Sequence, residues 1–375
     1  MALLNFAREV YTQDNECKVI LDNVIKLTRM AIQKHFSKEV VANISAYSAV
    51  NEEEYAKLND LSKKGMIKYA AKASGLPDIY DVSTKEGFKK AIVGFSAFRE
   101  ALFAIQTETI DSVNSTSEVE QSLLLAEVRN LAEGDSETFE IGSKSLFQVE
   151  QTGYSNNVSR LQYQFMNPTI LTPRPREASV GIDLFQLNAN GFDFGKQMAK
   201  IVISFRVAMY DDVISNIYNT ALVSATPFYK ATFAKTTFQQ LANIVAGANG
   251  NGVMAYGTNV ALGKASDTIA SGFAFGTSEE YVKTGMVRDL YGVPSMVLRQ
   301  AVNPNDGNYS FKVPDDRIIL TTPATDKPVK IVIGGQTYVD TDDGLSNSIN
   351  LRTFKYKQSW KTGIITQSAY AIQQL

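Results

Sequence analysis

The chain has 375 residues, of which 44% are hydrophobic and 20% charged, so burying a core is no difficulty and one large domain or two to three smaller ones fit the length. A net charge of −2 argues against a dedicated nucleic-acid binder, and the sole cysteine, Cys17, excludes an intrachain disulfide framework. With 17 Tyr and 20 Phe the composition suits large packed interfaces.

Met1 to Glu9 has neither the charged start nor the apolar run of a signal peptide, and no run approaches the ~20 residues of a membrane span. Synthesis and retention in a cytoplasm, or in something assembled there, are expected. The first 130 residues read as mostly helical. Val19, Ile20, Val24, Leu27 and Ala31 recur at three- and four-residue steps. A second helix is expected over Glu52 to Ala73, stopped by Gly75-Leu76-Pro77. A third runs from Lys85 to Gln106, capped by Asp81, Ser83 or Thr84, and a fourth from Glu118 to Leu131. Charge is uneven here: Lys63 to Arg99 is basic, with Lys63, Lys64, Lys68 and Lys72 close together, and Glu108 to Glu140 is acidic. These are solvated helix faces, an electrostatically paired arm, or a basic face toward packaged nucleic acid.

From Thr138 to Leu187 the period becomes two, as in Phe139/Ile141, Phe147/Val149 and Leu161/Tyr163/Phe165. Gly153 to Asn157 supplies a turn between the arms of a long hairpin. Thr172-Pro173-Arg174-Pro175-Arg176 cannot continue a central strand, because proline lacks the donor. A two-stranded ribbon is marginal in water and needs a surface to lie on. Lys196 to Ser224 then reads as one helix, with Met198, Ile201, Val202, Phe205, Met209, Val213 and Ile217 on one stripe and no internal Pro or Gly. At 1.5 Å per residue it would be a rod of roughly 43 Å.

Beyond Thr226-Pro227 short elements alternate. A helix is expected over Thr236 to Ala246, a strand over Val253 to Tyr256, a glycine-rich stretch, and a short helix over Ser278 to Thr284. Strands follow at Val293 to Leu298, Arg317 to Leu320, Val329 to Ile333, Thr337 to Val339, Leu351 to Tyr356 and Gly363 to Ile372.

Motifs with chemical meaning fail on spacing. Gly250-x-Gly252-x-x-Ala255 follows a helix and opens a strand, the reverse of a dinucleotide site, so it is a turn. Gly257 to Lys264 has one residue too many for a phosphate loop, and Ala265 stands where the magnesium-holding hydroxyl belongs. Asp340-Thr341-Asp342-Asp343-Gly344 has its glycine one place early for a calcium loop and Leu351 where the bidentate Glu belongs, which leaves an exposed acidic turn. Asp211 and Asp212 diverge by ~100° on a helix and cannot share a ligand. His35 is the only histidine; Cys17 with His35 is the one thiol-imidazole pair available. No metal, cofactor or catalytic residue is expected.

The order of elements resembles the major capsid proteins of tailed bacteriophages with the Hong Kong 97-type (HK97-like) α+β fold. Residues 143 to 190 look like the E-loop, Gly195 to Ala225 like the spine helix, Thr284 to Val297 like the helix, tight turn and strand of an axial domain, and Lys361 to Ile372 like the last peripheral strand. The resemblance implies an arm and helical region over 1–137, an E-loop hairpin over 138–190, a spine helix over 191–226, an axial domain over 227–325 and return strands over 326–375. The first of these is longer than a simple arm; a scaffolding segment, cleaved in some members, is expected to be retained here.

The function implied is a structural subunit, with no enzymatic activity, that forms hexamers and pentamers of an icosahedral shell around double-stranded DNA. It would be found in the virion and assembled in the bacterial cytoplasm. Scaffolding, portal and decoration proteins would be its partners, and packaged DNA would be touched non-specifically. Arg160, Arg174, Arg176 and Glu177 are candidate intersubunit contacts, and Lys63, Lys64, Lys68 and Lys72 candidate inner-face basic residues. The alternatives are an encapsulin-type shell, a tail-tube or tail-sheath subunit, and a soluble α/β enzyme using carboxylates.

Overall fold

A computed structural model of the chain describes residues 14–35, 51–114, 123–141, 149, 166–183, 193–223, 228–270, 288–298, 300–302, 310–323, 326–342, 351–366 and 368–375. Among the described residues four helices come first: α1 (Asn15–His35), α2 (Glu52–Ala73), α3 (Lys85–Gly94) and α4 (Ser96–Val113). The Asn51 side chain caps α2 by accepting from the backbone N–H of Glu53 and Glu54. The single helix expected over Lys85 to Gln106 is two, because Phe95 takes an extended conformation (φ −127°, ψ 98°) and packs near Tyr80, their ring centroids 6.4 Å apart. Thr84 is the cap of α3, accepting from Gly87 N–H at 3.1 Å. On α1 the expected apolar face holds at Val24, Leu27 and Ala31, all fully buried, but Val19 is exposed.

Four strands follow: β1 (Ala126–Leu131), β2 (Glu137–Ile141), β3 (Asn167–Leu171) and β4 (Arg174–Asp183). The helix expected up to Leu131 is therefore corrected to a strand at its C-terminal half. Residues 126–131 pair in parallel with β10 (Val329–Asp342), a partner some 200 residues away that local periodicity does not report. The rest of that expected helix, before Leu123, lies outside the described residues. The hairpin exists as a β2–β3 ribbon; its expected tip at Gly153 to Asn157 also lies outside them. Pro175 does not stop β4, because β4 is the edge of its sheet and needs no donor on its open side.

The long helix α5 (Phe194–Val223) matches its expected span within two residues. All seven stripe residues from Met198 to Ile217 are buried. The remaining elements are β5 (Tyr229–Lys230), α6 (Lys235–Asn249), β6 (Met254–Gly257), α7 (Asn259–Ala270), β7 (Asp289–Leu290), β8 (Val293–Val297), β9 (Arg317–Thr321), β10, β11 (Leu351–Ile364) and β12 (Ala371–Gln374). The glycine-rich stretch after β6 is corrected to α7: Thr258 accepts from Ala261 N–H at its start, and Ala261, Leu262 and Ala265 are fully buried on one face. Gly250, at φ 67°, ends α6, so the Gly250-x-Gly252 motif is the helix-to-strand turn expected. Tyr291 and Gly292, both at positive φ, make the two-residue turn that joins β7 to β8. Asp340 and Asp342 sit in β10 rather than in a turn, while residues 343–350 and the short helix expected at Ser278 lie outside the described residues.

Two sheets organise the molecule. The first runs β1-β10-β11-β4, parallel between β1 and β10 and antiparallel elsewhere; the second runs β5-β12-β9-β6-β8-β7. One core joins α1 to α5 with the first sheet and reaches Tyr256, Ile319 and Ile372 of the second. A smaller core fills the space between α6, α7 and the other face of the second sheet, around Phe238, Leu241, Leu262 and Leu320. The α+β class expected from the sequence is what the structure has, with the helical region, ribbon, long helix, mixed unit and return strands in that order. Among the described residues no helix is long and apolar enough to cross a membrane.

Candidate assembly surface

The long helix is fixed first at its N-terminus. Asp193 Oδ1 accepts from Lys196 N–H (2.9 Å) and from Tyr55 Oη (2.5 Å), while Asn59 Oδ1 accepts from the N–H of Phe194 and Gly195 (3.1 and 3.3 Å). Orphan donors of α5 are thus met by α2 as well as by its own cap. Burial and the bond to Asp193 push the Tyr55 phenol well above its usual range. Gly195 permits the approach: a Cβ there would lie 2.8 Å from Leu27 Cγ and 3.0 Å from Tyr55 Oη.

Midway along α5, Asp211 and Asp212 point to different partners, as their divergence requires. Asp211 binds Lys312 Nζ at 2.7 Å. Asp212 Oδ2 accepts from Arg176 Nη2 at 2.7 Å and from Trp360 Nε1 at 2.9 Å. The Arg176 guanidinium also lies over the Trp360 ring (5.2 Å), whose edge meets Phe205 at 6.0 Å and 87°. Arg176, taken from sequence as an intersubunit contact, therefore has its charge met within the chain, where it ties β4 to α5. Glu177 likewise faces its cross-strand neighbour Lys357 at 3.7 Å and accepts from Ser179 Oγ. Arg174 is exposed at the start of β4, and Arg160 lies outside the described residues.

The ribbon stands on the first sheet at one spot. Phe139 and Leu171 bury their inner faces on Val332 and Ile365, while Ile170 and Met166 remain exposed at 62% and 69%. A polar clamp surrounds this root. Lys330, 5% exposed, binds Glu127 Oε2 at 2.5 Å and Asp326 Oδ1 at 2.8 Å. Arg129 binds Glu127 at 3.0 Å and Glu137 at 2.6 Å and covers the Phe139 ring. Burial alone would raise the Glu127 carboxyl, but Lys330 and Arg129 outweigh it and hold the group below the usual range. Within the acidic stretch, Glu127 is thus partnered by β10 and by Arg129, and Glu137 by Arg129.

Two lysines of the basic stretch on α2 are neutralised by carboxylates of the helical layer. Lys72 pairs with Glu16 across the α1–α2 interface at 2.5 Å, and Lys64 with Asp60 at 2.7 Å. Lys63 is buried at 7% exposure, and desolvation lowers its pKa despite nearby Asp60. Lys68 is exposed. Lys26–Glu54 and Lys34–Glu52 continue the zipper between the two helices.

Catalytic readings gain nothing. Cys17 is fully buried, which pushes its thiol up to about 11. With His35 it occupies opposite ends of α1, some 27 Å apart at 1.5 Å per residue, so the two cannot form a dyad. Among the described residues no group of three or more His, Cys, Asp or Glu is placed to hold a metal. Sequence reasoning missed Trp360, Lys330 and Asp111. The only available signal was that Trp360 is the sole tryptophan.

Residues 26–373 match the model of the family described as "SPbeta prophage-derived putative capsid protein YonB". No curated protein matches the chain in sequence. Among solved structures, the capsid of the native GTA particle is similar at 13% identity and TM-score 0.46, covering 70% of this chain and 90% of that one. The bacteriophage PhiM1 mature capsid is similar at 9% and 0.44, covering 67% and 85%. The virus-like particle from Pyrococcus furiosus is similar at 12% and 0.39, covering 71% and 98%.

Proposed function

The chain belongs to the YonB family, whose description is that of a prophage-derived capsid protein, and from that premise we propose that it forms the hexamers and pentamers of an icosahedral phage shell around double-stranded DNA. The family match over residues 26–373 carries this reading. Assembly in the host cytoplasm, helped by scaffolding and portal proteins and followed by decoration, belongs to the same proposal.

The ribbon supports it. Its apolar outer side at Met166 and Ile170 has no covering element among the described residues, and an exposed ribbon of this kind is stabilised by lying on another surface. In this reading 138–190 is the E-loop laid over a neighbouring subunit, 191–226 the spine, 227–325 the axial domain and 326–375 the peripheral return, with 1–137 an arm elaborated into a helical layer. Arg174 and Arg160 are the intersubunit contacts to test first, and Arg176 and Glu177 act by holding β4 in place. DNA contact is weak and non-specific, through Lys68 and the rims of the Lys64 and Lys72 pairs, and falls as salt rises.

Expression alone and with a scaffold protein, followed by electron microscopy and nucleic-acid assay, tests the proposal. Closed icosahedral particles able to hold DNA are expected. Rods would indicate a tail component, shells loaded only with protein an encapsulin-type container, and a lasting monomer would overturn shell formation.

A further inference from the structure

The register of β10 against β11 breaks between Gly334 and Tyr338, at the level where β1 ends opposite Gly334. A bulge leaves a backbone donor without its ladder partner, and a buried donor must be met by something. Here the partner comes from the helical layer. Thr337, 2% exposed, donates its N–H to both carboxylate oxygens of Asp111 on α4 (3.2 and 3.1 Å) and its Oγ1 to Oδ1 (2.5 Å).

Both strands of the ribbon leave the sheet over this bulge. On the β1–β2 side, Glu133 accepts from the Tyr338 hydroxyl and packs on Gly335, whose φ of 68° makes the turn. On the β3–β4 side, Pro173 crosses so close to Gly334 that a Cβ there would lie 2.7 Å from the proline ring. Arg129, Glu137 and Phe139 complete the root.

We propose that Asp111 is a positioning residue through which the N-terminal helical layer sets the direction of the β2–β3 ribbon. What the ribbon is for rests on the capsid reading; the coupling stands on the bulge geometry. Removing the carboxylate leaves the Thr337 donor buried and frees the bulge to change its turn, which tilts both crossings together. The helical layer then has a role beyond filling a core: it fixes the angle at which the ribbon meets a neighbour.

Hydrogen exchange on the purified full chain tests this. Asp111→Ala should speed exchange in peptides 132–141, 166–173 and 333–338 by about tenfold, the scale of one lost charged hydrogen bond, while α1, α2 and the second sheet keep wild-type rates. Thr337→Val, which keeps the N–H bond, should give a smaller rise in the same peptides. Lys312→Ala removes a different carboxylate contact, the ion pair with Asp211 on α5, and should leave those peptides unchanged. A uniform rise across α4 and the whole first sheet in Asp111→Ala, or no rise at the ribbon root, overturns the coupling. Should Asp111→Ala fail to fold, unchanged ribbon-root exchange in Thr337→Val overturns it equally. If the wild-type chain forms no shells the capsid reading falls, and the exchange comparison still decides the coupling.

Discussion

Against the first sheet lie α4 and α5, and several of the contacts that fix it there are polar: Arg176 and Trp360 on Asp212, Asn216 on Thr362, and Thr337 on Asp111. Against the second sheet lie α6 and α7, and the filling is mostly apolar, with Phe238, Leu241, Leu262, Ile318 and Leu320 fully buried. The first sheet joins segments far apart in sequence through long strands, with β1 and β4 at its edges, and a two-residue slip along such strands keeps the same face buried. Directional groups remove that freedom. The second is built of short strands, which offer few alternative registers, and shape filling suffices.

The comparison breaks most sharply at Trp360. Trp360→Ala removes a ring that is 2% exposed, opens a cavity against Phe205 and strips a donor from Asp212. A loss of about 3–5 kcal/mol is expected in urea unfolding, with exchange rising first in β4 and β11. Phe238→Ala should cost about 3–4 kcal/mol but open only the second sheet and its helices, read by exchange in β6 and β9. Simultaneous opening of both sheets in either variant would mean that the two units are one cooperative block. Lys330→Met leaves two part-buried carboxylates facing each other. About 2 kcal/mol is expected, below the cost of a fully buried pair because Glu127 and Asp326 keep 26% and 32% of their side-chain exposure.

Acid sharpens the same contrast. Because the Glu127 pKa is lower in the folded chain, its contribution is present above the ordinary carboxylate range and is lost as pH falls through the folded value. Urea midpoints should therefore drop less between pH 7 and pH 3 in Glu127→Gln than in the wild type. An equal drop would place the acid sensitivity elsewhere. The smallest effect belongs to the helix zipper: Lys26→Ala, breaking a pair exposed at 59% and 53%, should change stability by no more than ~0.5 kcal/mol.

Local pattern reads some of this molecule well. The stripe of α5 is continuous and uninterrupted, so residue spacing alone picks out seven of its buried side chains, though the buried face is wider and also takes in Ile203, Tyr210, Ile214 and Tyr218; α2 is legible to the residue. The order of elements carries the capsid resemblance that family membership bears out. Pattern fails where the partner is remote. Residues 126–131 look helical until Val329 to Gly334 is laid beside them, and Gly257 and Gly263 look like a loop until Leu262 and Ala265 find the second sheet. Asp111, Asp212 and Lys330 are illegible for the same reason: each gains its role from a group between 36 and 226 residues away, except for the Lys330–Asp326 pair.

The parallel pairing of Ala126 with Val329 also has a consequence in time. A ribosome adding about 5–20 residues per second completes β10 on the order of ten to forty seconds after β1 emerges. During that interval the sides of α4 and α5 that face the first sheet have nothing to cover and are open to any neighbouring nascent chain. On the shell reading proposed above, a subunit made in many copies at once would meet its own kind before its first sheet can close, so yield should depend on chaperone supply and temperature more than on final stability.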